Sequence, residues 1–153
     1  MLLTTLIMIT GCNTNNVNTD NLAQEHSEKL LELLSNKDVN GIKGMFCDIV
    51  SNSSDLDNQI NKAMQGVNGK IISYNTPIIA SKEHSEHMKQ QEIQFSSTIC
   101  DVNTDTDNTY TIYFYEYLIN KEYPEYVGIS EIQIVDNSKE DSTLKMGNYD
   151  LVR

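Results

Sequence analysis

Three glutamates in strand-like surroundings, Glu92, Glu116 and Glu131, and the tyrosines Tyr74, Tyr113 and Tyr115 are the side chains best suited to moving protons. A carboxylate held out of water has the raised pKa that such work needs, and a tyrosine hydroxyl beside it can share the proton. Glu116 is the sharpest of the three, because strand alternation puts it on one face with Ile112, Phe114 and Leu118. It also falls near the end of its segment, where a carboxylate reaches water without doing chemistry. The tyrosines serve equally to line a binding groove or a subunit interface.

Other constellations are weaker. Asp101, Asn103, Asp105 and Asp107 alternate as the first ligands of a calcium loop do, but the sixth position is Thr106 where Gly is needed, and the twelfth is Ile112 where Glu is needed. They read as a polar hairpin turn. His84 and His87 lie three apart beside Glu83 and Glu86. A zinc site needs three or four convergent ligands, and this stretch reads as a solvated loop between strands. His26 falls on a helix without an evident partner, and no metal or other cofactor is expected. Cys47 and Cys100 form an even pair once Cys12 is set aside, which admits a disulfide in an oxidising compartment. Against it, Cys100 has the opposite parity to Ile93, Phe95 and Ile99, so without a bulge it points away from their face. Two buried free thiols are the alternative.

The elements that must position these groups centre on residues 109–119, TYTIYFYEYLI, a run of β-branched and aromatic residues that reads as the central strand of a sheet. Both of its faces are apolar or amphipathic, so the face bearing Tyr113 and Tyr115 is expected to be covered. Three helices precede the sheet: residues 20–35 with Asp20 as N-cap, a shorter one capped by Asp38, and a third from about Asp55 with Leu56, Ile60, Met64 and Val67 on one face. Four strands follow, at residues 70–80, 88–102, 109–119 and 126–135, the last three antiparallel neighbours. Pro77 marks an edge or a bend, and residues 144–153 are left without a place. Helices first and a curved antiparallel sheet afterwards make an α+β fold.

At 153 residues the chain suits one domain, and its net charge of −11 argues against nucleic acid or anionic lipid surfaces as partners. The apolar run of residues 1–12, MLLTTLIMITGC, resembles the lipobox of bacterial lipoproteins, in which the cysteine is lipidated after cleavage. It is shorter than the ~20 residues of a membrane span but suits the core of a signal peptide. No Lys or Arg precedes it, a departure from that pattern. The expected organisation is a signal peptide over residues 1–11, a flexible tether over 12–20 beginning at the lipidated Cys12, and a folded domain over 21–153, held to the membrane from outside the cytoplasm.

The series KLLELLSNKD at 29–38, IKGMF at 42–46, DNQI at 57–60, GKIISY at 69–74 and YVGI at 126–129 resembles Gram-positive lipoproteins carrying the domain of unknown function DUF5104. That family is similar in fold to the nuclear transport factor 2-like, or cystatin-like, superfamily. The resemblance implies three helices packed on a curved sheet of about four strands around a cone-shaped pocket, with no assigned active-site residues to transfer. It also implies that acid and tyrosine side chains in such a cone can serve proton transfer, and that paired sheets can form a homodimer. The expected role is a non-enzymatic module binding a small ligand or a protein. The alternatives are a small enzyme using a pocket carboxylate and tyrosine, or an immunity or accessory protein for one protein partner. The last would fill its pocket with its own side chains and expose an apolar patch elsewhere.

Overall fold

A computed structural model describes residues 18–87, 89–139 and 142–152. The expected signal peptide, Cys12 and most of the expected tether lie outside the described residues. The first helix, α1 (Thr19–Ser35), is capped by Asn18 rather than Asp20: the Asn18 side-chain oxygen accepts from Asn21 N at 3.2 Å. Ala23, Ser27, Leu30, Leu31 and Leu34 form its buried stripe. Asp38 caps α2 (Val39–Lys43) by accepting from Gly41 N at 2.8 Å. Then follow α3 (Asp48–Ser51) and α4 (Leu56–Gly66). Lys37 reaches across to the carbonyls of Met64 and Val67, satisfying acceptors that the end of α4 leaves unpaired.

Six strands follow: β1 (Ile71–Ser73), β2 (Ile78–Glu86), β3 (Lys89–Thr104), β4 (Thr109–Asn120), β5 (Gly128–Asp136) and β6 (Thr143–Gly147). They form one antiparallel sheet in the order β1-β3-β4-β5-β6, with β2 also paired to β3. The expected three helices on four strands are therefore corrected to four α-helices and six strands among the described residues, although the α+β class fits. The single strand expected over 70–80 divides around Pro77, which has no N–H for a ladder. The second part runs on through Lys82 to Glu86, where both faces are exposed and no apolar alternation exists to reveal a strand. Thus His84 sits on an edge strand, not in a loop. The four-residue α3 is too short to show a helical period, and residues 143–147 of the unplaced terminus form the opposite edge.

A β-bulge in β3 sets Cys100 and Asp101 against the single residue Thr111, with Asp101 at φ +51°. It resets the alternation so that Ile99 and Val102 both face the helices. That inner face, with Phe95, Ile112, Phe114, Ile132 and Ile134, packs on Leu30, Leu34, Ile42 and Ile60 in one core. Phe95 and Phe114 meet edge-on, ring centres 5.6 Å apart. Apolar side chains thus fill the inner face of the sheet, where a cone-shaped pocket was expected.

The helical layer is joined to the sheet by main chain as well as by side chains. Cys47 N donates to Ile129 O and Ile129 N to Met45 O, both at 2.9 Å. The approach requires Gly128, at φ +120°, where a Cβ would come within 2.8 Å of Cys47 N.

Candidate functional site

Alternation sends the expected site residues to different places. Glu116 points inward from β4 and is 4% exposed. Its Oε1 lies 2.7 Å from His26 Nδ1 on α1, and its Oε2 has no hydrogen-bond partner among the described residues. The bond to Glu116 raises the His26 pKa above the ordinary histidine value, against a smaller lowering by burial. Next to this pair the Ser27 hydroxyl donates to Ala23 O at 2.7 Å and lies 2.9 Å from the Ser97 hydroxyl. Glu116 is therefore partnered by a histidine, where a tyrosine hydroxyl or bulk water was expected. The spacing of His26 four residues before Leu30 places it beside the apolar stripe of α1, a legible sign of half-burial. Its partner, 90 residues away, left no sign.

Tyr113 and Tyr115 point to the outer face and are 37% and 36% exposed, so no described element of the chain buries the face that was expected to be covered. Cross-strand pairing aligns Ile78, Thr98, Tyr113, Gln133 and Lys145 in one row, and Ala80, Ser96, Tyr115, Glu131 and Gly147 in the next. Ile78 is 64% exposed. The Tyr115 ring leans on Tyr149 at 5.1 Å, and the Tyr149 hydroxyl accepts from Gln94 Nε2 at 3.0 Å. Lys82, Gln94, Ser96 and these two tyrosines line a groove of about 240 Å³.

Glu131 lies on this outer face yet is buried. Burial pushes its pKa up, but the bonds around it outweigh that and hold it below the ordinary carboxylate value. Lys145 Nζ lies 2.6 Å from Oε2, Gln133 Nε2 donates to Oε1 at 2.5 Å, and Tyr149 N donates to Oε2 at 3.1 Å. These contacts tie β5 to β6 and to the main chain at Tyr149. Tyr74, in the link between β1 and β2, borders a separate cleft of about 230 Å³ beside Glu28, Glu32 and Ser35 of α1. Glu92 borders another, with His84 and Asn120. Tyr74, Tyr113, Tyr115 and Glu116 thus share no pocket. Among the described residues neither His26 nor Glu116 lines any of five clefts of 230 to 360 Å³.

The aspartates of the β3–β4 hairpin bind neighbouring chain. Asp105 Oδ1 accepts from Lys70 N at 2.7 Å and Asp101 Oδ2 from Asn75 Nδ2 at 2.6 Å, tying β1 to the turn. His84 Nε2 lies 3.8 Å from Glu86 Oε1 in an exposed pair. Among the described residues no group of three or more His, Cys, Asp or Glu is placed to hold a metal ion. Cys47 and Cys100 are free thiols, the first buried at the start of α3 and the second half-buried at the bulge, so no bridge links α3 to β3. Burial pushes the Cys47 thiol pKa up. No helix among the described residues is long and apolar enough to cross a membrane.

On the outer face of the sheet the uncharged and aromatic side chains of Ile78, Tyr113 and Tyr115 stand open. Residues 29–137 match the protein family described as domain of unknown function (DUF5104). No curated protein matches the chain.

Proposed function

The chain belongs to the family described as domain of unknown function (DUF5104), and from that premise we propose that it is a lipid-anchored extracytoplasmic domain acting as a non-enzymatic protein-interaction module. Its working surface is the outer face of the sheet. The observation that carries this reading is the row Ile78, Thr98, Tyr113, Gln133 and Lys145, whose first four side chains are uncharged in a chain of net charge −11. Open tyrosine and isoleucine on a rigid antiparallel sheet supply contact area at low cost in side-chain entropy. The filled inner face supports the same reading, because a core packed with Phe, Ile and Leu offers a ligand no room. Acid–tyrosine catalysis receives no such support, since Glu116 faces His26 across the core.

Benzoylphenylalanine placed at position 113, in cells producing the full chain, tests this surface. Irradiation is expected to give a discrete protein adduct that the same group at Asn61, exposed on α4, does not give. Adducts no stronger at 113 than at 61 would reject the surface, and an adduct of twice the chain's own mass would identify the partner as a second copy.

A further inference from the structure

Away from the tyrosine face, the outer edge of β6 pairs with no further strand among the described residues. In an antiparallel strand the N–H and C=O of one residue point to the same side and alternate from residue to residue. Asn148 N donates to Ser130 O and Ser142 O accepts from Asp136 N, so the even-numbered residues of this segment face β5. Gly147 N instead donates away from β5, to Gln59 Oε1 of α4 at 2.8 Å. By the same alternation the main-chain N–H and C=O groups of Thr143 and Lys145 also point away from β5, and no described group pairs with them. They open on the 360 Å³ cleft between β6 and α4, the most voluminous of the five, bordered by Asn58, Gln59, Lys62 and Ala63.

We infer that this cleft binds an extended peptide segment of a partner protein, which adds one strand to the sheet beside β6 and sets an acidic side chain against Lys62. Unpaired edge groups are a template for strand addition, in which main-chain bonds give affinity and alternate side chains give selectivity. The occupant is a lone strand and not the sheet of a second copy, because α4 stands along the edge: a Cβ at Gly66 would lie 2.5 Å from the Leu144 side chain. A second sheet with its own α4 would meet that helix, whereas an isolated strand needs only the open cleft beside Thr143 and Lys145. Lys62 and Lys145 border the cleft, and Asp55 opposite them is engaged by Gln59 Nε2 at 3.0 Å. Lys145 is in turn held by Glu131, which leaves Lys62 as the cation for a carboxylate of the partner.

The test is an NMR titration of the isotope-labelled full chain with a hexapeptide alternating valine and glutamate. Expected are shifts and slowed exchange of the Thr143 and Lys145 amides, and their absence with the same peptide N-methylated at alternate residues. Thr143→Pro removes one outward N–H at the first position of an edge strand, where proline leaves the ladder to β5 intact, and is expected to weaken binding about tenfold. Lys62→Glu, on an exposed helix face, is expected to reverse the preference toward an alternating valine–lysine peptide; it keeps the test decisive should Thr143→Pro fail to fold. Unmoved Thr143 and Lys145 amides at millimolar peptide would overturn the inference. So would equal binding of the N-methylated peptide, or shifts confined to β2 or to Tyr113 and Tyr115. Because the readout is local to β6, it stands or falls separately from the crosslinking at position 113.

Discussion

His26 Nδ1 and Glu116 Oε1 lie 2.7 Å apart and pin the first helix to the central strand across 90 residues of chain. The pair is lopsided: His26 keeps a third of its side chain in water, while the Glu116 side chain is 6% exposed. One partner can therefore exchange protons with solvent while the other is held in the core.

That asymmetry gives a pH dependence with a definite sign. The folded-state pKa of His26 is raised above 6.5, chiefly by its bond to Glu116, with Lys29 acting against and Glu25 adding slightly. A raised value stabilises fully below the unfolded pKa, and that stabilisation is lost as pH rises through the folded one. Urea midpoints are expected to fall between about pH 6 and about pH 8, and His26→Gln should make that fall smaller. At the lower pH His26→Gln should cost about 1–3 kcal/mol, since it weakens the bond to a buried carboxyl group. Equal pH slopes in the two proteins would show that the pair carries no linkage.

Lys145→Ala should act with the opposite sign. Glu131 is held below its ordinary pKa by Lys145, Gln133 and Tyr149 against the pull of burial, so its contribution is present above the unfolded value and lost as pH falls through the folded one. The variant is expected to lose about 1–2 kcal/mol near neutrality, a modest figure because the Lys145 side chain is half in water. The loss should shrink in acid, read as the gap between the two proteins' denaturation midpoints at each pH.

The thiols should differ in reactivity. Cys100 is half-buried, whereas Cys47 is buried and its thiol pKa is pushed up. Iodoacetamide on the folded chain, followed by peptide mass mapping, is expected to label Cys100 well before Cys47, because the thiolate is the reacting species. Protection of both until a reductant is added would mean that they are bridged.

Anchorage is tested at Cys12. Cys12→Ala is expected to move the protein from the membrane fraction to the soluble fraction, since two acyl chains on that residue would supply stable attachment. Unchanged fractionation would remove lipidation from the proposal.

The legible parts of this chain were those where one property repeats over many residues. The β-branched and aromatic run around Phe114 announced β4, and the leucines of α1 announced a buried helix. Asp38 announced the cap of α2. What was hidden depended on tertiary context. β2 lies at an edge with polar residues on both faces, so no period marks Lys82 to Glu86 as a strand. Alternation placed Glu116 on the inner face, but only the docking of α1 shows that His26 arrives there. The same alternation put Tyr113 and Tyr115 together without revealing that no described element of the chain buries them. A run of Tyr and Thr satisfies a buried strand and an open recognition face alike.

The two main-chain bonds between residues 45–47 and Ile129 fix how the helical layer meets the sheet without reference to any side chain. Layers held by packing alone can slide when a core residue grows or shrinks, and a surface at one end of the sheet then shifts against one at the other. Here the joint acts as a rivet that resists such sliding. Substitutions in the interior can change how tightly the molecule holds together while the geometry of its outer face and of its β6 edge stays in register.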